Sequence, residues 1–338
     1  MTVSPPAKQS PQGDLRRLLP GFMISAITLA VLLYFVDLGK FVQALRLVDY
    51  RYIVLLVGIT ILWLLVRANA WKTLLQDQAP VGVVFWTINQ GYVLNNLLPF
   101  RLGEVARAYL LSKKTTLGFW QVFSTIIIER LLDLAMAVGL LFSTLPFVVG
   151  ATWAREAAIG MGGIVAAAIF TLFLIARNRS MAEKMLGWLG SRWVFIRRLE
   201  DSIARPILDG LVVLNDGWRF SRALIWFVLN WVVGISQYVL MVRAFFPHAP
   251  VLWGAFCLGV AALGVAAPSS PGSVGVFEGA VVAALALFDQ DPSVALALAI
   301  SLHLVQILTT GVFGSIAMAR DGETLLGLYQ RVRQLAKR

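Results

Sequence analysis

The sequence predicts an all-α polytopic membrane protein, with about six full spans plus two re-entrant or broken helix pairs arranged as inverted repeats. Three observations lead there: the apolar character of the chain, the way its apolar runs are interrupted, and the placement of its basic residues. Of 338 residues, 59% are hydrophobic and 14% charged, with a mean hydropathy of +0.78. A soluble domain carries about 25% charged residues. The apolar residues come in runs of about 17–25, the length that crosses a ~30 Å hydrocarbon layer as helix.

Residues 1–19 (MTVSPPAKQSPQGDLRRLL) are polar and proline-rich. They read as a disordered cytoplasmic tail leading into a retained span, because no small-residue cleavage site follows the first apolar run. Full spans are expected over 20–36, 52–67, 118–149, 157–176, 223–246 and 293–319. The segment from Val83 to Pro99 is apolar but cut by Asn89, Gln90, Asn95 and Asn96, and the RLGEVARAYLLSKK after it is too short and charged to span alone. From Val251 an apolar stretch runs into PSSPGS, with Pro268 and Pro271, and a second short stretch follows to Phe288. Each reads as two half-helices meeting at a break, which membranes tolerate only where protein or a water-filled cavity satisfies the backbone.

The net charge of +11 raises nucleic acid as a partner, but its placement argues for a membrane. With the N-terminus inside, 23 of the 29 Lys and Arg fall in cytoplasmic segments, as the positive-inside rule requires. In this topology the first half reads span, span, broken pair entering from inside, span. The second half has the same order and the opposite orientation. Residues 20–149 then form one membrane repeat and 150–319 a second, with a basic, Trp-containing cytoplasmic insert over 177–222 and a basic segment over 320–338. Inverted repeats with discontinuous helices are common in secondary transporters, whose substrate sites lie where the broken helices meet. A faint echo accompanies the symmetry: Pro99 precedes Gly103 by four residues, Pro271 precedes Gly275 by four, and Glu104 and Glu278 follow. The insert reads as amphipathic helices on an anionic leaflet, or as a docking surface for a protein.

One cysteine, Cys257, and two histidines, His248 and His303, make a metal cluster or intramolecular disulfide an unpromising reading. No cofactor is expected. No nucleotide loop or nucleophile motif appears, so ATP-driven pumping by this chain is not expected either.

Ionisable residues inside a membrane are costly and are functional candidates by default. Arg101, Glu104 and Arg107 open the short helix after the first break. IIIERLLDL sets Glu129 and Asp133 on one face of a span, with Arg130 beside them. Arginines near a break could hold a phosphate bidentately while the carboxylates orient them. The alternative is a structural network that only neutralises neighbouring helices. In SSPGSVGVFEG, Pro271 and Gly272 permit a turn, and the half-helix from Ser273 presents unpaired amides suited to an anion. Gly275 would allow close approach, with Glu278 one turn in; a capped bend is the bland reading. His303, Gln306 and Thr310 share one helical face, and Asn230, Gly234 and Gln237 another, more in keeping with interhelical hydrogen bonding than with ligands.

The motifs NNLLPFRLGEVARAYLL, ERLLDL and PSSPGSVGVFEGA, in that order, resemble the lysylphosphatidylglycerol synthase transmembrane family. This is the flippase-like region of the multiple peptide resistance factor and its stand-alone relatives. The likeness covers residues 15–320. It implies a multi-pass protein of a bacterial or archaeal cytoplasmic membrane, both termini inside, moving an anionic or aminoacylated phospholipid or a polyprenyl-phosphate-linked lipid between leaflets. A membrane enzyme acting on such a lipid, or a non-transporting partner of a lipid-modifying complex, is the alternative. Carried over by position, the implied site residues are Pro99, Arg101, Gly103, Glu104 and Arg107; Glu129, Arg130 and Asp133; and Pro271, Gly272, Gly275 and Glu278. The soluble aminoacyl-transferring domain of the full-length factor has no counterpart in these residues, so lipid aminoacylation is not expected. Expected partners are lipids with anionic headgroups, with a second copy of the chain or a lipid-modifying enzyme as protein partners.

Overall fold

The computed structural model describes residues 12–98, 102–150, 216–266 and 270–325, with short stretches within 156–178 and 327–331; side chains are described from Met23 onward. Among these residues every regular element is helical. The span expected over 157–176, the insert up to residue 215, residues 1–11 and the last seven residues lie wholly or mostly outside the described set.

Helix α1 (Gln12–Phe35) turns through 88° into the short α2 (Leu38–Leu47). The corner is made by Asp37, whose side chain caps α2 by accepting from the amides of Gly39 and Lys40. α2 is amphipathic and buries none of its residues. Asp49 caps α3 (Tyr50–Leu74) in the same way, Asp216 caps α7 (Gly217–Phe245), and Asp291, followed by Pro292, starts α10 (Pro292–Arg320). These are ordinary start signals, in which a short acidic side chain satisfies amides that the first turn leaves open. α4 (Val81–Leu97), α5 (Leu102–Lys114), α6 (Phe119–Val149), α8 (Val251–Ala266) and α9 (Val276–Ala286) complete the order.

Four helices, α3, α6, α7 and α10, are long and apolar enough to cross a membrane, and the bent pair α1–α2 raises this to five. The expected count of six is not reached among the described residues. One boundary moves with consequence. The span expected to end at residue 67 continues to Leu74, so Arg67, read from sequence as a cytoplasmic loop charge, is an interior helical residue only 3% exposed.

α4 and α5 form a tight antiparallel hairpin. Asn95 accepts from the Gly103 amide at 2.8 Å near its tip, and Lys114 reaches Gln90 at 3.2 Å near its open end. Glycines set the spacing: a Cβ on Gly91 would press on the Arg107 side chain and lie 3.0 Å from the Gly103 carbonyl oxygen. Gly103, expected as a break residue, is thus a helical contact residue inside α5. α8 and α9 form a second hairpin, with Gly264 against Ala280 near the tip and Trp253 stacked on Phe288 at 4.7 Å near the open end. Lipid tails are as apolar as Leu, so helices inside a bilayer associate through such close packing rather than by leaving water.

The packing has a paired pattern. α3 packs on α7, and the two run antiparallel, since Gln237 bonds Thr60 while Asn230 bonds the Trp63 carbonyl and Arg67. The first hairpin's α4 packs on α10, and the second hairpin's α8 packs on α6. α5 also touches α6 as α9 touches α10, and α3 touches α4 as α7 touches α8.

Charged contacts gather at the two ends of the bundle. At one, Asp291 takes Lys40 of α2 at 2.8 Å. That bond holds the Asp291 carboxyl below its usual range and pushes the Lys40 ammonium up. At the other, Lys114 and Gln90 both bond Asp321, just past α10, and Arg222 pairs with Asp77.

Candidate functional site

Six ionisable side chains from three helices meet inside the bundle. Arg67 of α3 grips Asp133 with both terminal nitrogens, at 2.7 and 2.5 Å, and reaches Glu129 at 2.6 Å. Arg107 of α5 forms a two-pronged pair with Glu129, at 3.0 and 2.7 Å. Arg130 pairs with Glu104 at 2.9 Å and lies 3.5 Å from Asp133. The three arginines and three carboxylates balance. A planar guanidinium fork suits such two-pronged contacts in a way that an ammonium does not.

The network has a closed side and an open side. Arg67, Arg107 and Glu129 are 3%, 1% and 0% exposed, while Arg130, Asp133 and Glu104 keep 31%, 20% and 18% of their side chains accessible. Aromatic faces back the closed side: the Arg107 guanidinium lies 4.1 Å over Trp71, and Trp71 donates to Thr125. The Nε atoms of Arg67 and Arg107 are buried without a partner, so each cation keeps a spare donor.

The second cluster lies at the tip of the other hairpin. Pro271–Ser273 make a single 3-10 turn, with Gly272 at φ +66° and Gly275 at φ +87°. Ser273 is also left-handed, at φ +55°, a conformation uncommon outside glycine. Glu278 folds back on the start of its own helix and accepts from the Gly275 amide at 2.7 Å. The anion at this helix start is therefore the protein's own carboxylate, with the helix dipole favouring it. Its other oxygen lies 2.6 Å from Nδ1 of His303. Close approach at Gly275 is used by α1, since a Cβ there would lie 2.8 Å from the Ser25 carbonyl oxygen. Ser25 also accepts from the Ser270 amide at 3.1 Å.

The two hairpin tips touch. A Cβ on Gly272 would lie 3.5 Å from the Asn96 carbonyl oxygen at the end of α4. Asn96 also donates to Thr310 of α10 at 3.3 Å.

Of the residues singled out by sequence, the structure brings Glu104, Arg107, Glu129, Arg130 and Asp133 together. It places Gly272, Ser273, Gly275 and Glu278, with Pro271, at the second tip. Pro99, Arg101 and Pro268 lie outside the described residues. Asn230 and Gln237 serve as interhelical bonds, as expected. Sequence reading missed Arg67, the centre of the network. The available signal was an arginine flanked by LLV and ANAW, an apolar setting that a cytoplasmic loop does not require.

A model of the lysylphosphatidylglycerol synthase TM region matches residues 19–314. A UPF0104 membrane protein of Methanothermobacter thermautotrophicus is 24% identical over 90% of this chain and 95% of its own length. Another UPF0104 membrane protein, from Methanocaldococcus jannaschii, is 26% identical over 66% of this chain and 92% of its own. Glycosyltransferase AglD of Haloferax volcanii is 22% identical over 88% of this chain but only 53% of its own length. No solved structure matches the chain.

Proposed function

Because this chain belongs to the lysylphosphatidylglycerol synthase transmembrane family, we propose that it is a flippase-like lipid translocase. Its cargo is an anionic or aminoacylated phospholipid, or a polyprenyl-phosphate-linked lipid, carried between leaflets of the cytoplasmic membrane. The observation that carries this reading is the meeting of two hairpin tips, Asn96 against Gly272, in a bundle whose interior also holds a neutral six-charge network.

The hairpins are re-entrant in this reading, and the halves are inverted repeats. The paired packing supports it, because the contacts among α3, α4, α5 and α6 have counterparts among α7, α8, α9 and α10. So does the antiparallel run of α3 against α7, which hold equivalent positions in the two halves. The end bearing Lys72, Lys114 and Arg222 faces the cytoplasm, with both termini, and the end bearing Lys40 and Asp291 faces outside.

The headgroup phosphate meets the open side of the network at Arg130, and Arg101, outside the described residues, is the second arginine that the sequence offers for it. Glu104 and Asp133 release Arg130 to the phosphate or accept a cationic headgroup. Glu129 holds Arg67 and Arg107 behind them as positioning residues. A phosphate adds one negative charge to the balanced network, so it enters with a cationic headgroup or with a proton on Glu104 or Asp133, because an unpaired charge there costs several kcal/mol.

The test is transport of headgroup-labelled phosphatidylglycerol by the purified chain in liposomes. Arg130→Lys and Arg101→Lys keep the charge but lose the fork, and each is expected to slow transport at least about tenfold, with Arg→Ala slower still. Near-parental rates in all four variants leave the network purely structural. The similarity to a protein named glycosyltransferase AglD favours one rival, an enzyme acting on a polyprenyl-linked sugar. Mass spectrometry of the crossed lipid separates the two: the translocase leaves it chemically unchanged.

A further inference from the structure

We propose that Glu278 and His303 form a proton-binding site at the tip of the second hairpin. The pair stands apart from the arginine network, and among the described residues no cation balances it. Glu278 is 6% exposed and His303 8%, and their Oε1 and Nδ1 atoms are 2.6 Å apart. With a neutral imidazole donating from Nδ1, the pair carries a net charge of −1. One added proton, taken from water onto Nε2, makes it a neutral imidazolium–carboxylate pair, and no electron moves.

The surroundings favour an exchangeable proton. Among the described residues the −1 state is supported by the Gly275 and Glu278 amides at the helix start, worth roughly half a unit of positive charge. Among the described residues no other charged side chain contacts the pair; α3 and α7, which also pack on α10, hold theirs at Arg51, Arg67 and Lys72 and at Arg219, Arg222 and Arg243, and α4 has none. α1 from Met23 onward, α8 and the rest of α9 contain no Asp, Glu, Lys or Arg. On α10 the next charged residue is Arg320, about 25 Å along the helix from His303. Lys40 of α2 is held by Asp291, the cap of α10, about 18 Å along the helix from His303, and Arg46 lies further along α2. Cys257 of α8 faces Tyr238 of α7. Phe277 stacks on the imidazole at 4.3 Å and fixes its orientation.

The position gives the proton something to act on. Glu278 holds the amide of Gly275, and Gly272 of the same tip touches Asn96 of the other. Thr310, which takes the Asn96 amide, is seven residues beyond His303 on α10, about 10 Å away. A proton arriving at the pair therefore alters the charge on the residue that caps one tip, close to where the two tips meet.

The experiment needs no lipid, so it fails or succeeds separately from the translocase reading. The full chain is purified in detergent with labelled ring nitrogens, and His248→Gln leaves His303 as the one imidazole signal. His303 is expected to take up one proton while the chain stays folded. Glu278→Gln, which keeps an acceptor for the Gly275 amide, is expected to make that proton about tenfold weaker, one unit lower in midpoint. Potentiometric uptake gives a second reading: His303→Gln is expected to take up one proton fewer per chain over the same range. An imidazole that does not titrate, or a midpoint unmoved by Glu278→Gln, overturns the proposal. Equal uptake by parent and His303→Gln overturns it as well, should the glutamate variant fail to fold.

Discussion

The backbone of Gly91 occupies the place where a side chain on Gly103 would begin, so α4 and α5 touch without any side chain between them. Gly103→Ala puts a methyl against the Gly91 carbonyl and within 2.5 Å of the Asn95 amide oxygen. Overpacking of this kind costs about 1–3 kcal/mol. A thermal melt in detergent is expected to fall by several degrees, whereas Gly139→Ala, which meets nothing within 4 Å, leaves it level or slightly higher. Equal melts for the two variants would show that the hairpin is looser than described.

Arg67 is expected to be the most expensive single charge to remove. Arg67→Met leaves Asp133 with Arg130 alone, at 3.5 Å, and strips Glu129 of one guanidinium, and breaking a buried pair from one side costs about 3–5 kcal/mol. Adding Asp133→Asn removes the stranded charge and is expected to return most of that loss. Chemical unfolding of the two variants measures it; a double variant no more stable than the single would mean that Arg67 acts through packing alone.

Sidedness follows from the two charged ends. A cysteine at Asp291 is expected to react with an impermeant maleimide only from outside, and cysteines at Asp77 and Arg222 only from the cytoplasm. Cys257 is buried and should stay silent. Labelling of positions 77 and 291 from the same side would end the inverted-repeat reading.

The Lys40–Asp291 clamp carries a pH signature. The Asp291 carboxyl is depressed by its bond to Lys40, so its contribution is complete above the unfolded Asp value, about 3.9, and is lost as pH falls through the lower folded value. The Lys40 ammonium is raised by the same bond. Its contribution is complete below about 10.4 and is lost as pH rises through the higher folded value. Between these limits the clamp adds no pH dependence. Asp291→Asn keeps an N-cap for α10 but removes the clamp, so its stability difference from the parent should be flat from about pH 5 to 9 and shrink in acid. A difference that grows below pH 4 contradicts the assignment.

Much of this was readable from residue order. Glu129 and Asp133 share a helical face by spacing alone, and the Pro-Gly pair at 271–272 marks a turn whatever surrounds it. What escaped was set by tertiary packing. Arg67 looked like the end of a span because a charge usually marks the membrane edge, yet the partners that let it stay inside come from α6. The amides after Gly272 invited an anion-binding role because a helix start attracts negative charge, and sequence could not show that the Glu278 carboxylate folds back to meet that demand. The corner at Asp37 was invisible for a different reason: α2 is too short and too mixed to stand out from the loop expected there.

The shared charges of α3, α5 and α6 impose an order on how the chain is made. Arg67 reaches the membrane when its nearest acidic partner, Glu129, is still 62 residues from being synthesised, a gap of about 3–12 s at ~5–20 residues per second. For that interval α3 carries a charge, of a kind that costs up to about 2.5–3.5 kcal/mol within a membrane helix, before the α6 carboxylates that pair with it exist. α3 is thus a conditional passenger: it settles fully only when α6 follows, and a ribosome stalled between residues 74 and 129 would leave it shallow, slipping, or waiting at the insertion machinery.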